Sequence, residues 1–193
     1  MKIGIFGGTF DPPHNGHLHL AKSIADELNL DKIIVIPTFV APHKTDRKTS
    51  FATDRFRMCE LCFDSDFFEI SDIEISRGGK SYTFDTLTSL KEKYPYDSFF
   101  LIIGSDMLEC FSKWYRYEDI LKLCTLCCVG RENRILTLPD FFTDDDQVYL
   151  SSATPLEMSS TFIRSAVKED KNISNYLPQK VADYIKERKL YLD

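Results

Sequence analysis

Short apolar segments that alternate with helical patterns constrain the fold of this chain more than any other feature. The segments 2-KIGIF-6, 32-KIIVIP-37 and 98-SFFLIIGSD-106 predict strands without polar alternation, which is typical of strands covered on both faces. Apolar residues at helical spacing lie between them, as in 17-HLHLAKSIADEL-28 and 83-TFDTLTSLKEKY-94. We therefore expect a Rossmann-like, doubly wound α/β fold with a mainly parallel sheet and helices on both faces.

The rest of the chain continues this alternation and ends in a C-terminal helical segment. We interpret residues 1–193 as a single domain, because the length fits one core and no linker interrupts the pattern. The predicted helices are 51–62, about 107–122, 160–169 and 178–188, and the predicted further strands are 67–76, 124–129 and 147–152. Thr83 is expected to cap the helix over 83–94.

Charge and hydropathy narrow the possible partners. The net charge is −6, from 24 basic and 30 acidic residues, which disfavours bulk attraction to nucleic acid or anionic lipid. No segment approaches the ~20 consecutive apolar residues of a membrane span, and the N-terminus does not resemble a signal peptide. We expect a soluble, cytoplasmic protein with no nucleic-acid or membrane partner, and the sequence leaves its oligomeric state open.

The spacing of the cysteines disfavours a zinc site. Two C-x-x-C pairs occur, Cys59 with Cys62 and Cys124 with Cys127, and 61 residues lie between them. Zinc-binding pairs are usually only ~15–20 residues apart. The first pair falls in a helical pattern and the second in a strand, where its two members would face opposite sides. We expect small buried hydrophobes rather than metal ligands.

The loop 7-GGTFDPPHNGHL-18 contains the residues that regular structure tolerates least. It follows a predicted strand and precedes a predicted helix, so Gly7 and Gly8 would let a phosphate approach the backbone near a helix N-terminus. Its spacing matches neither G-x-G-x-x-G nor a Walker loop. His14 and His17 would lie near the helix start, where imidazoles can stabilise developing phosphate charge. A zinc pair and simple helix caps are the alternatives.

A second candidate for anion binding lies near the C-terminus, at 158-MSSTFIR-164. Ser159, Ser160 and Thr161 would open a helix, and Arg164 would share a face with Ser160. Hydroxyls, helix-start amides and a guanidinium together suit an anion, although an ordinary Ser/Thr cap with a solvated arginine has the same pattern. Ligands of doubly wound sheets bind beyond the carboxyl ends of the strands. The strand ends carry G-G-T-F-D-P-P-H, P-T-F-V-A-P-H-K, G-S-D and G-R, and we expect these segments to converge on one crevice.

Taken together, the two motifs resemble those of the HxGH superfamily of nucleotidyltransferases. The closest resemblance is to the bacterial branch that acts on nicotinate mononucleotide, and it covers nearly the whole chain. The segments 42-PHK-44, 81-SYTFDTL-87, 102-IIGSD-106 and 114-WYRYEDIL-121 are similar to that branch as well. Ala41 and Met158 depart from its pattern at two apolar positions.

The resemblance implies a reaction and a set of site residues. ATP and nicotinate mononucleotide would give deamido-NAD and pyrophosphate by in-line attack without a covalent intermediate, with Mg²⁺ carried on the ATP phosphates. The implied catalytic residues are His14, His17 and Arg164. The implied ATP-binding residues are Gly7, Gly8, Thr9, Phe10, His14, His17, Gly104, Asp106, Ser160, Thr161 and Arg164. The implied residues for the mononucleotide are His43, Lys44, Thr83, Trp114 and Tyr115, and no protein metal ligand is implied.

Several other functions remain open. A sister nucleotidyltransferase could use nicotinamide mononucleotide, pantetheine phosphate or an alcohol phosphate, although the S-Y-T and W-Y-R-Y-E-D-I-L segments resemble the nicotinate branch. A class I aminoacyl-tRNA synthetase would need an anticodon-binding domain, for which 193 residues leave no room. A non-catalytic nucleotide sensor could share the fold. Lys44 could also belong to an ordinary basic loop, and Asp106 could be a strand-end turn residue.

Overall fold

A computed structural model of the chain describes residues 1–41, 49–130, 137–143 and 146–192. Its strands are β1 (Lys2–Gly8), β2 (Lys32–Pro37), β3 (Phe68–Ile70), β4 (Ser98–Gly104), β5 (Thr125–Val129) and β6 (Val148–Ser151). Its helices are α1 (Asn15–Leu28), α2 (Ala52–Cys62), α3 (Ile73–Arg77), α4 (Thr83–Lys93), α5 (Ser105–Glu109), α6 (Tyr117–Leu123), α7 (Ser160–Lys168) and α8 (Gln179–Glu187). A 3₁₀ turn, Phe111–Lys113, lies between α5 and α6. Within the described ranges, no helix is long and apolar enough to span a membrane.

The strands form one parallel sheet in the order β3-β2-β1-β4-β5-β6. The order reverses between β1 and β4, where Ile3 pairs with Phe99 and Ile5 with Leu101. This is the strand order of a doubly wound Rossmann-type sheet, and it confirms the predicted fold class. The loops after β1 and β4 diverge to opposite faces, which leaves a crevice at the carboxyl edge of the sheet.

Helices bury both faces of the sheet, which explains why the central strands are apolar without interruption. The four residues from Ile33 to Ile36 in β2 are each at most 1% exposed. Ile33 and Val35 belong to a first core with α1, α2, α7 and α8, whereas Ile34 and Ile36 belong to a second core with α4, α5 and α6. Burying such a side chain contributes roughly 1.5–3 kcal/mol, so each face of β2 anchors its own helical layer.

One predicted strand is mostly wrong. The sequence over 67–76 predicted a single strand, but β3 ends at Ile70 and a short helix, α3, begins at Ile73. The alternation of apolar residues changes phase between Ile70 and Ile73, and a strand that kept going would have turned Ile73 and Ile75 to the wrong face. A helical turn places Glu74 inward instead, where it accepts a hydrogen bond from the Thr86 hydroxyl at 2.8 Å.

The helix predicted over about 107–122 is broken into three parts. Between α5 and α6 the chain forms the 3₁₀ turn, extends at Trp114 and takes a left-handed conformation at Arg116, with φ 56°. Phe111 is fully buried and packs against Trp114, with ring centroids 5.1 Å apart. This packing holds Trp114 and Tyr115 on an irregular segment that lines the crevice.

Candidate functional site

A cleft of about 1630 Å³ lies at the carboxyl edge of the sheet, where the topology places a ligand site. Single small-molecule pockets are typically ~300–1,000 Å³, so this cleft can hold two nucleotide-sized ligands. The predicted site residues that line it are Gly7, Gly8, Thr9, Phe10, His14, His17, Thr83, Gly104, Asp106, Trp114, Tyr115, Ser160, Thr161 and Arg164. The other two predicted residues, His43 and Lys44, lie outside the described residues.

His14 and His17 are locked together at the start of α1. His14 is the N-cap residue, and its Nδ1 accepts a hydrogen bond from the His17 amide at 3.3 Å. The Nδ1 of His17 accepts in return from the His14 amide at 3.2 Å, which completes a capping box made of two imidazoles. The rings stack with centroids 3.7 Å apart. Since both Nδ1 atoms act as acceptors, each neutral ring carries its proton on Nε2.

The structure changes one detail of the predicted anion site. The sequence suggested that backbone amides at the start of α1 would face a phosphate, but protein atoms accept hydrogen bonds from the first three. The Asn15 amide donates to the Tyr176 carbonyl at 2.9 Å, the Gly16 amide to the Met158 sulfur at 2.9 Å, and the His17 amide to His14. These three amides are therefore already used within the protein, and it is the side chains of His14 and His17 that line the cleft at the start of α1.

The three glycines of the loop over 7–18 differ in what a side chain at each position would contact. A Cβ on Gly16 would lie 2.9 Å from the Met158 side chain and 3.0 Å from the His14 ring, so only glycine fits between the two histidines. A Cβ on Gly8 would meet the Phe10 ring at 2.9 Å. A Cβ on Gly7 would meet no atom within 4 Å, and Gly7 lines the cleft. Of these three glycines, Gly7 is therefore the one whose backbone has open space beside it.

Helix α7 begins beside the histidine loop, and residues of its S-S-T-F-I-R motif line the same cleft. Ser159 is its N-cap and accepts a hydrogen bond from the Phe162 amide at 3.2 Å. The Ser160 hydroxyl donates to the Pro12 carbonyl at 2.9 Å, and Arg164 donates to the Asp11 carbonyl at 2.5 Å. These contacts join the two sequence motifs, which are about 150 residues apart, into one site.

An aromatic wall forms the other half of the cleft. Thr83 is the first residue of α4 rather than its cap, which is Tyr82. The ring centroids of Tyr82 and Tyr115 are 4.9 Å apart, and Trp114 lines the cleft together with them. The Arg116 guanidinium lies 3.9 Å above the Phe84 ring, which adds a cation–π contact behind Tyr115. Aromatic rings and the start of α4 thus line the same cleft.

Sequence reasoning missed two buried carboxyl groups that line the cleft. Asp11 is 3% exposed and accepts hydrogen bonds from the Tyr191 hydroxyl at 2.8 Å and the Ser50 amide at 3.4 Å. Burial raises the pKa of Tyr191 well above its usual range, and Asp11 adds to the effect. Burial also raises the pKa of Glu74, partly offset by the hydroxyls of Thr86 and Ser81. The D-P-P turn was a visible signal for Asp11, whereas the mistaken strand over 67–76 hid Glu74.

The cysteines pack as small apolar residues. Cys59, Cys62 and Cys127 belong to the first core, and Cys124 and Cys128 to the second, so Cys124 and Cys127 face opposite sides of the sheet as predicted. Burial raises the pKa of Cys62 and Cys127 to about 12, which keeps their thiols protonated. In the described part of the chain, no three His, Cys, Asp or Glu residues are placed to hold a metal ion.

The fold and the paired motifs define a doubly wound α/β protein whose cleft lies at the topological switch point of its sheet. The chain belongs to the cytidylyltransferase-like family, whose model matches residues 5–166. Nicotinate-nucleotide adenylyltransferase of Bacillus subtilis is 40% identical over 192 residues, and the alignment covers 98% of each protein.

Solved structures of low sequence identity share the fold. Plasmodium falciparum nicotinic acid mononucleotide adenylyltransferase complexed with NaAD matches with a TM-score of 0.75 at 22% identity, over 98% of this chain and 97% of that one. The same enzyme complexed with APC matches with a TM-score of 0.74 at 21% identity, over 98% and 96%. This similarity supports the architecture of the sheet and helices described above.

Proposed function

We propose that this protein joins ATP and nicotinate mononucleotide to give deamido-NAD and pyrophosphate, as an adenylyltransferase of NAD biosynthesis. The observation that carries the proposal is one cleft that holds the stacked His14–His17 pair, the Arg164 helix and an aromatic wall. The name of the Bacillus subtilis relative, aligned over nearly its full length, supports the same reaction.

The residues suit transfer by positioning and charge stabilisation. A phosphate oxygen of the mononucleotide attacks the α-phosphorus of ATP, the bond from that phosphorus to the bridging oxygen breaks, and pyrophosphate leaves with the electron pair. Nε2–H groups of His14 and His17 would donate to the triphosphate oxygens as charge develops. The guanidinium of Arg164, held by the Asp11 carbonyl and by Thr161 Oγ1 at 2.9 Å, would stabilise the leaving pyrophosphate.

Mg²⁺ would enter with ATP. The donor set of the cleft fits this role, because among the described residues no cluster offers three ligands, while Asp106 in the first turn of α5 supplies one exposed carboxylate. Mg²⁺ keeps most of its waters and commonly binds through substrate phosphates. When bound, the ion would neutralise phosphate charge and so assist departure of pyrophosphate.

The aromatic wall would select the pyridine ring. Trp114 would stack on the pyridine ring. The nicotinate carboxylate would accept hydrogen bonds from Thr83, at the start of α4, and from the backbone amide of Tyr115. Nicotinamide carries a neutral amide at that position and would lose the charge-assisted hydrogen bonds. Sites that recognise a polar group in this way discriminate strongly against an analogue that lacks it.

A pyrophosphate-release assay with ATP and a panel of acceptors tests the proposal. We expect kcat/KM for nicotinate mononucleotide to exceed that for nicotinamide mononucleotide by at least about a hundredfold, or roughly 2.7 kcal/mol. Trp114→Ala should weaken the use of both substrates, whereas Thr83→Ala should narrow the gap between them. Equal efficiency with both mononucleotides, or a preference for pantetheine phosphate, would contradict the substrate assignment. No turnover with any acceptor would point to a sensor.

A further inference from the structure

Arg55 is a fully buried cation directly beneath the cleft. It lies on α2, is 1% exposed and donates hydrogen bonds from each of its three guanidinium nitrogens. Nη1 donates to the Thr9 carbonyl at 2.8 Å, Nη2 to the Phe39 carbonyl at 3.3 Å and Nε to the Ser50 carbonyl at 3.2 Å. All three described partners are main-chain carbonyls, so the guanidinium holds backbone rather than a carboxylate.

The three carbonyls belong to different parts of the site. Thr9 is in the loop after β1 that leads to the histidine pair, whereas Phe39 and Ser50 follow β2 and precede α2. The Phe39 amide donates to Ser81 Oγ at 3.0 Å, and the Ser81 amide donates to the Val40 carbonyl at 3.0 Å. A continuous chain of hydrogen bonds therefore runs from Thr9 through Arg55 and Phe39 to Ser81, two residues before Thr83.

Keeping a charged group in this position requires compensation. Burial lowers the pKa of Arg55, and the carboxylate of Asp11 is the main group that offsets the effect. Taking a guanidinium out of water is costly, and losing it would leave the carbonyls of Thr9, Phe39 and Ser50 without this donor. The hydrogen bonds to these three carbonyls are therefore what the arginine supplies at this position. Its planar fork can hold three diverging carbonyls at once, which a lysine ammonium cannot do with the same geometry.

We propose that Arg55 is a positioning residue. Its three hydrogen bonds, called the clamp below, fix the separation between the loop after β1, at Thr9, and the segment that leads into α4, at Ser81. The proposal deepens the adenylyltransferase function proposed above and rests on it. Arg55 is 1% exposed and is not among the residues that line the cleft, so we expect each substrate to keep most of its own contacts when the hydrogen bonds of Arg55 are weakened. What changes is the alignment of the attacking oxygen with the α-phosphorus, and small misplacements of this kind lower turnover strongly.

The decisive variant is Arg55→Lys, which keeps the charge beside Asp11 and removes the fork. We expect kcat for pyrophosphate release to fall at least about tenfold while each substrate KM stays within about threefold, because an interaction that acts only on alignment lowers kcat and kcat/KM together. Met58→Ala is the matched control, since Met58 is fully buried on the same helix but holds no part of the clamp. It should lower the melting temperature and leave kcat within about threefold at a temperature where both variants are folded.

Amide hydrogen exchange without substrates provides a readout that does not depend on activity. The Phe39 and Ser81 amides should exchange at least about tenfold faster in Arg55→Lys, and at near wild-type rates in Met58→Ala. Should Arg55→Lys fail to fold, Ser81→Ala removes the last contact of the same chain. It should speed exchange of the Phe39 amide and lower kcat by at least about threefold.

Faster exchange of the Phe39 and Ser81 amides, together with a fall in kcat while each KM stays within about threefold, supports the clamp. Unchanged exchange in Arg55→Lys, or in Ser81→Ala where it is the variant used, overturns it. Normal kcat despite faster exchange, or equal losses in Met58→Ala, also overturns it. If the wild-type protein releases no pyrophosphate, the proposed function fails, while the exchange measurement still decides whether Arg55 holds the two segments.

Discussion

Replacing His17 by alanine separates the chemistry of the histidine pair from its structural role. The change removes the Nε2–H donor of the cleft and the Nδ1 acceptor that satisfies the His14 amide. It also removes an edge-to-face contact with Phe10, whose ring centroid is 5.1 Å from that of His17. His14 keeps its own ring at the N-cap position, and α1 keeps its apolar face, so we expect the fold to persist.

The structure gives different magnitudes for the two losses. Losing half of a capping box costs about 1 kcal/mol, and the ring contact adds roughly 0.5–1.5 kcal/mol. For a protein of this size these losses lower the melting temperature by only ~3–10 °C. Removing a donor that stabilises transition-state charge lowers turnover by ~10²–10³. The free energy of unfolding of a native protein is typically about 5 kcal/mol or more, so a variant with these losses stays folded. Unfolding therefore cannot account for such a loss of turnover.

The assay is pyrophosphate release at saturating ATP and nicotinate mononucleotide, alongside thermal unfolding of the same samples. His19→Ala is the matched control, because it removes a histidine from the same helix and a hydrogen bond to the Thr154 carbonyl at 3.0 Å. His19 is not among the residues that line the cleft, and its loss should leave kcat within about threefold. Near-normal turnover of His17→Ala, or an equal loss in His19→Ala, would refute the role given to the pair.

Substitutions of two glycines in the histidine loop and of Glu27 give two further predictions. Gly16→Ala should lower both the melting temperature and kcat, because the added Cβ would press on Met158 and the His14 ring. Gly7→Ala should keep the melting temperature, since no atom lies within 4 Å of its Cβ, and should raise the KM for ATP. Similar thermal shifts in both variants would contradict this difference. Burial raises the pKa of Glu27, but three hydroxyl donors on and beside β6 outweigh it, so the net pKa is lowered and the carboxylate stabilises the fold above the ordinary glutamate pKa. Glu27→Gln should lower the unfolding free energy by about 1–3 kcal/mol at pH 7. In urea unfolding at decreasing pH, the difference in unfolding free energy between wild type and variant should shrink as the wild-type carboxyl protonates through its lowered pKa. A difference that does not change with pH would exclude this linkage.

Local patterns in the sequence were sufficient for the architecture. Apolar runs such as 32–37 needed burial on both faces, and only helices on both sides of a parallel sheet provide it. The start of α7 was equally readable, since a serine at the N-cap hydrogen-bonds within its own turn. The histidine pair could be recognised for the same reason, because the residues that form the capping box are three positions apart.

Contacts between distant residues decided what these local signals could not. The amides at the start of α1 looked available from the sequence, but Met158 and Tyr176, more than 140 residues away, supply acceptors for two of them. The helix expected near Trp114 was broken by tertiary packing of Phe111, which outweighs local helix propensity.

Arg55 shows the same limit for charge. In sequence it is one basic residue in an amphipathic helix, and such residues are usually solvated. Only the folded chain brings the carbonyls of Thr9, Phe39 and Ser50 around it, and the hydrogen bonds they accept are what make its burial tolerable. The sequence by itself determined the parallel sheet, most of its helices and the motifs at their ends, because those depend on neighbours along the chain. The short helix α3 and the break between α5 and α6 were decided by tertiary contacts. The tertiary structure alone decided which polar groups are already satisfied and which face the cleft, because their partners come from loops far apart in sequence.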